Sequence, residues 1–331
     1  MSSKNVKQSS LVSIVLPVFN SKTFHHGLES ILNQTYTQLE IIVINDGSEI
    51  PISRSNADPR IKWIRHDHQG LSYTLNQGIH HASGTYIARM DADDVSDINR
   101  IAHQVLYLET HHEIDIVATQ VEELSHVSEG LKYYIHWQNL LISSEDIYLN
   151  RFVDAPLVHP TVMMRATSIV KYGTYYNNVP EDFELWLRWM DAGARFAKVP
   201  APLLNWNDHP HRLTRTHPNY DRDKFFQIKA KYFMSWLKRT IKSSTPLWIC
   251  GTGSKVYNRV KFLREQGLKI GGYIDVKPTR SNRTIISYEE LDPDKHPMIL
   301  SYVSDRIGSK RIHKFLKNKG FVEGVNFYMM A

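Results

Sequence analysis

The sequence predicts an α/β fold built on a largely parallel sheet, and three observations carry that reading. Short apolar β-type runs alternate with stretches of helical spacing from residue 13 onward, the order that yields a parallel sheet with crossover connections. Three of the runs end in polar residues: Phe19-Asn20, Asp46-Gly47-Ser48 and Asp91-Ala92-Asp93-Asp94. Ligands of open α/β sheets bind beyond the carboxyl ends of the strands, so these three ends are expected to meet in one crevice.

Residues 13–18 read as a buried strand stopped by a turn at Asn20, and residues 28–32 show helical spacing. Residues 39–45 form a second strand that delivers Asp46, residues 61–64 a third, residues 72–82 a helix, and residues 85–90 a fourth strand that delivers three acids. Carboxylates crowded at a strand end call for a cation, and Mg²⁺ usually takes one or two of them while substrate phosphates complete its shell. The competing reading makes the acids caps of a helix beginning near Ile98, since Asp is a favoured N-cap. Asp46-Gly47 is equally a common turn dipeptide. Farther on, Glu181-Asp182 precedes an apolar helical run over residues 183–190, where on spacing alone two acids complement the helix macrodipole.

Taken together, residues 13–20, 29–48, 70–78, 82–94, 159–165 and 181–186 resemble glycosyltransferase family 2, inverting enzymes of GT-A fold that use nucleotide sugars; the segments come in the family's order. The resemblance implies a mixed, mainly parallel sheet flanked by helices. It places Pro17, Phe19, Asn20, Asp46, Asn76 and Asp91 on the donor, with Asp46 accepting from the pyrimidine ring N–H of a UDP-sugar. Asp91, Asp93 and Asp94 would hold Mn²⁺ or Mg²⁺. Asp182 would be the general base and Glu181 its neighbour, taking the acceptor hydroxyl's proton as that oxygen attacks opposite the leaving diphosphate. The apolar Phe183 and Trp186 beside Asp182 would raise its pKa by desolvation.

The segment 206–215 resembles the family's late motif, which implies His209 as a metal ligand or diphosphate contact and Arg212 and Arg215 as phosphate clamps. Read without the resemblance it is a solvated basic loop, and His211 is the weaker histidine within it. His159-Pro160-Thr161 either shapes the acceptor side or begins a strand. Arg89 and Arg100 flank the acids and either balance their charge or touch phosphate. The pairs His25-His26, His80-His81 and His111-His112 read as surface residues, because neighbouring side chains point in different directions.

The chain has 331 residues, 42% of them hydrophobic, a formal net charge of +6 and one cysteine, Cys250. Length suggests about two domains, and a lone cysteine excludes an intrachain disulfide or a multi-cysteine metal site. The first apolar run contains Pro17 and stops at Val18, too short for a signal peptide or a membrane span. A cytoplasmic enzyme is therefore expected, one whose contact with the inner face of a membrane would be peripheral. The basic aromatic segment 223–245 either lies on a membrane surface as an amphipathic helix or packs one domain on another. No motif supports nucleic-acid binding.

From residue 246 a strand, a Gly251-Thr252-Gly253 turn, a helix over residues 255–266 and a strand over residues 270–274 ending at Asp275 resemble the first unit of a Rossmann domain. Val256 stands where the third glycine of the fingerprint belongs. Residues 298–303 and 310–319 would add one more strand and helix. The expected organisation is a catalytic domain over 1–222, a linker helix over 223–245 and a Rossmann-like unit over 246–331. The function implied is transfer of a hexose or N-acetylhexosamine to a hydroxyl of a glycan or lipid-linked acceptor, in surface polysaccharide or oligosaccharide synthesis. The alternatives are a non-catalytic nucleotide-sugar-binding scaffold and an NAD-dependent oxidoreductase centred on the C-terminal unit.

Overall fold

The computed structural model describes residues 9–52, 58–122, 127–210, 212–240, 245–276 and 284–331; His211 and residues 241–244 of the linker lie outside them. The first half runs β1 (Val12–Val18), α1 (Phe24–Leu32), β2 (Leu39–Asp46), β3 (Ile61–His66), α2 (Leu71–His81) and β4 (Tyr86–Arg89). β1 is buried along its length and lies parallel to β2 on one side and β4 on the other, with Val12 opposite Leu39 and Tyr86. Helices covering both faces of a parallel sheet require strands that are apolar throughout, which is why these strands do not alternate.

The chain continues through β5 (Val95–Ser96), α3 (Arg100–Thr110), β6 (Ile116–Gln120), α4 (Glu129–Leu140), α5 (Ser144–Asn150), β7 (Met163–Arg165), α6 (Ala166–Tyr172), α7 (Glu181–Asp191), β8 (Phe196–Pro202), β9 (Leu204–Asn205), α8 (Leu213–Thr216) and α9 (Arg222–Thr240). The sheet has the order β3-β2-β1-β4-β7-β6-β8, and β7 runs antiparallel to both neighbours. β5 and β9 form a separate antiparallel pair. The acids after β4 do not cap the next helix, because β5 intervenes and α3 starts after Asn99, whose side chain makes no capping bond. The capping reading of Asp91, Asp93 and Asp94 is thereby removed.

The C-terminal part contains β10 (Leu247–Cys250), α10 (Ser254–Glu265), β11 (Ile270–Asp275), β12 (Ile285–Ser287), β13 (Met298–Ser301), α11 (Arg306–Asn318) and β14 (Phe327–Met329). All five strands are parallel, in the order β12-β11-β10-β13-β14. β12 and β14 have three residues each, too short to show a period in the sequence, so the unit is larger than the appendage expected. Asp275 accepts from the backbone N–H of Thr252 at 3.0 Å and from its hydroxyl, and so ties down the glycine turn.

α9 packs between the two sheets. Ile228, Tyr232, Phe233, Trp236 and Leu237 are buried in a cluster that also contains Phe183 and Leu187 of α7, Val256 and Val260 of α10, and Tyr302. Aromatic residues surround this helix because it has apolar neighbours on more than one side, which decides for the packing role over the membrane-surface role. Among the described residues no helix is long and apolar enough to cross a membrane.

Candidate active site

The ends of β1, β2 and β3 form one mouth. Phe19, 47% exposed, stacks on His68 with ring centroids 4.2 Å apart. Asn20 adopts a left-handed backbone (φ 49°) that asparagine tolerates; its side-chain Oδ1 accepts from the backbone N–H of Glu49 at 2.9 Å. Asp46 is buried and accepts from the backbone N–H groups of Gln69 (2.7 Å) and Gly70 (3.0 Å). His66 Nδ1 and His68 Nδ1 lie 3.3 Å and 3.0 Å from its oxygens. Each carboxylate oxygen has a second lone pair, so Asp46 can still accept from a ring N–H at this mouth.

Beyond β4, Asp91, Asp93 and Asp94 offer carboxylate oxygens that lie within 4.8 Å of one another. Asp94 accepts from the backbone N–H of Asn207 at 2.8 Å through Oδ1, while its buried Oδ2 has no hydrogen-bond partner. Burial and the neighbouring carboxylates raise the pKa of Asp94 well above the usual range and raise that of Asp93. Burial alone would raise Asp91 too, but the adjoining Arg89 guanidinium holds it low. A hard cation fits this donor set: it would take the orphaned Oδ2 and offset the mutual repulsion that burial intensifies.

Residues 206–210 fold back over these acids. His209 Nε2 sits 2.8 Å from Asp93 Oδ2. Arg212 lies over the Trp206 ring, 3.9 Å from its centroid. Arg215 donates to His209 O (2.8 Å) and Asp208 Oδ2 (2.9 Å), so it braces the loop that carries His209.

α7 supplies the other wall. Its N-cap is Pro180, and Glu181 and Asp182 occupy its first turn. Glu181 accepts from Tyr220 Oη at 2.6 Å, and its other oxygen is 3.7 Å from His159 Nδ1. His159 Nε2 is 2.8 Å from Tyr175 Oη. Burial and the nearby Arg89 charge hold His159 neutral, its pKa lowered to about 3. Asp182 is pushed up to about 6 by burial and then by the Glu181 charge, partly countered by the Phe183 N–H that it accepts at 2.7 Å. A carboxyl poised there is ionised near neutral pH yet basic enough to take a proton.

The model of the family described as glycosyl transferase family 2 matches residues 13–173. The putative glycosyltransferase EpsE of Bacillus subtilis is 32% identical over 227 residues, 64% of this chain and 78% of the relative. The chain belongs to glycosyltransferase family 2. A second relative, the amylovoran biosynthesis glycosyltransferase AmsE of Erwinia amylovora, is 28% identical over 208 residues, 59% of this chain and 75% of the relative. Among solved structures, TarS of S. aureus in complex with UDP-GlcNAc superposes with a TM-score of 0.54 at 12% identity, covering 77% of this chain and 71% of TarS. That likeness identifies the fold as GT-A.

Within this glycosyltransferase the expected site residues divide. Phe19, Asn20 and Asp46 meet at one mouth, Asp91, Asp93, Asp94 and His209 gather at the next strand end, and Glu181 with Asp182 face the same space. Asn76 does not join them, because its amide nitrogen donates to Tyr175 O (2.9 Å) and its oxygen accepts from Tyr175 N (3.1 Å). Pro17 is buried inside β1, paired with Ile44, and leaves the mouth to Phe19. Arg100 is wholly buried and donates to the backbone carbonyls of Pro160 (2.6 Å) and Arg89 (3.3 Å) rather than to a phosphate site. His66, His68, Tyr175 and Tyr220 were missed. The two histidines sit in a polar run, residues 66–70, at the end of the third strand, where the strand-end argument applies as it does to Asp46. The two tyrosines carried no local signal.

Proposed function

We propose that this glycosyltransferase is a metal-dependent, inverting enzyme that moves a hexose or N-acetylhexosamine from a UDP-sugar to a hydroxyl of a surface-polysaccharide or lipid-linked glycan. The observation that carries this is Asp182, raised to about 6 at the first turn of α7 and close enough to Asp91 for the Arg89 charge to act on both. AmsE, named for amylovoran biosynthesis, supports a polysaccharide acceptor, and the UDP-GlcNAc held by the similarly folded TarS supports a uridine donor.

Asp182 would accept the acceptor hydroxyl's proton as its oxygen forms a bond to the anomeric carbon from the face opposite the diphosphate. The bond from that carbon to the diphosphate oxygen breaks, and its electron pair leaves with UDP, so the configuration inverts. Glu181, fixed by Tyr220 and facing neutral His159, would orient the acceptor side. The Phe19–His68 stack would offer its open face to the base while Asp46 accepts its ring N–H. Asp91, Asp93 and Asp94, with His209, would hold the divalent cation, which when bound neutralises charge on the departing diphosphate.

The test is UDP release and sugar transfer from a panel of UDP-sugars with Mn²⁺ or Mg²⁺. Cation-dependent release that Asp93→Asn abolishes, with transfer lost in Asp182→Asn, is the expected result. Absence of any cation-linked UDP binding would refute the reading.

A further inference from the structure

The carboxyl edge of the second sheet carries cations that form no ion pair among the described residues. Arg259 of α10 is half-buried, donates to Tyr302 O at 2.9 Å and lies over the Phe226 ring, 4.8 Å from its centroid. Burial and the like charge of nearby Arg222 hold its guanidinium below the ordinary value. The acid next to Arg222, Asp223, is taken by Lys261 at 3.0 Å. Four residues beyond Tyr302, Arg306 donates to the backbone carbonyl of Glu129 (3.1 Å), whose carboxylate is engaged by Lys132 at 2.9 Å. Arg306 and Lys310 both lie over the Tyr133 ring, 4.5 Å and 5.7 Å from its centroid. Among the described residues none of these four cations is ion-paired, unlike Arg60, Arg188, Arg239 and Lys261 elsewhere.

This edge adjoins the reaction centre on two sides. Phe226 contacts Tyr302 (6.2 Å between centroids), and Phe225 beside it contacts Phe183 (5.5 Å), the residue after Asp182. On the other side, Tyr134 follows Tyr133, contacts Trp206 at 6.3 Å and donates to Ala155 O at 2.9 Å. A charged helix face is usually only solvated. Here a guanidinium is held partly out of water beside a second one with no acid opposite, an arrangement that disfavours the empty state and is relieved by an oxyanion.

We infer that Arg222, Arg259, Arg306 and Lys310 form a docking surface for the phosphoryl group of a phosphate-linked glycan acceptor, placed so that its sugar reaches Asp182. The inference rests on the transferase reading above. In it the second sheet contributes acceptor recognition, and guanidinium forks supply the bidentate contacts that suit a phosphate monoester or diester.

The probe is glucose 1-phosphate, titrated by calorimetry into the full chain already saturated with UDP and Mg²⁺, with glucose as the uncharged control. Arg259→Gln and Arg222→Gln are each expected to raise its Kd about tenfold, the loss of one charge-assisted contact. Arg259→Lys, which keeps the charge and loses the fork, should bind between the parent and Arg259→Gln, and UDP affinity and acceptor-independent UDP release should be unchanged, which also shows that the variants fold. Equal affinity in parent and variants, equal response to glucose, or binding seen only with phosphatidylglycerol vesicles would overturn the inference. Failure of the parent chain to bind UDP with Mg²⁺ would remove the donor reading itself, and this surface's role with it.

Discussion

His209 Nε2 lies 2.8 Å from Asp93 Oδ2, across 116 positions of chain. The contact closes residues 206–210 over the acids at the end of β4, and Arg215 holds that stretch in place by donating to His209 O. The proposed cation set therefore draws on two segments distant in the chain.

His209→Ala is accordingly expected to raise the Mn²⁺ or Mg²⁺ concentration needed for half-maximal UDP release by about tenfold, the scale on which outer metal partners act. A cation titration of UDP release at saturating donor checks this. An unchanged midpoint would show that His209 only steadies the loop.

Asp182→Asn is expected to lower transfer by about 10²- to 10⁴-fold, the usual worth of general base catalysis. In the parent chain kcat/KM should rise with pH through about 6 and level off above it, since the base must be ionised. The sign for stability is opposite. A carboxyl whose folded pKa is raised binds its proton more tightly when folded, so its contribution is full at low pH and is lost as pH rises through about 6. The Asn variant should therefore be more stable than the parent at pH 7.5, by about 1 kcal/mol, as thermal unfolding would show.

Tyr220→Phe removes the hydroxyl that donates to buried Glu181. An unsatisfied buried carboxylate oxygen costs about 1–3 kcal/mol, and Glu181 would lose its fixed orientation. Transfer should fall about tenfold while Kd for UDP stays constant; a matching loss of UDP affinity would contradict the placement of Glu181 on the acceptor side.

Gly47 follows Asp46 with φ +75°, and a Cβ there would lie 2.7 Å from the backbone nitrogen of His68. Gly47→Ala must displace the 66–70 turn that stacks His68 on Phe19 and donates to Asp46. UDP affinity should drop by about tenfold with kcat little changed, measurable by calorimetry.

The strand ends were legible because parallel strands buried on both faces leave unbroken apolar runs, and the polar residue that stops each run stands out: Asn20, Asp46 and Asp91 all did. Asn76 was placed by resemblance alone. It lies in a segment matching the family, and its amide is matched to the backbone of Tyr175, a pairing 99 positions away that local sequence does not encode. β12 and β14 were missed because three residues cannot show a two-residue period.

Sequence by itself determined the fold class, the first four strands and the helices between them, the acids after β4 and the acid pair that opens α7, since each follows from local patterning and from a family's ordered motifs. Tertiary structure alone decided what those acids touch. Asp93 meets His209, Glu181 meets Tyr220, and Arg259 stands near Arg222 without a carboxylate partner among the described residues. Periodicity reports which face of an element is buried; contacts between elements far apart in the chain depend on how loops return, and burial then sets the charge state of every group they enclose.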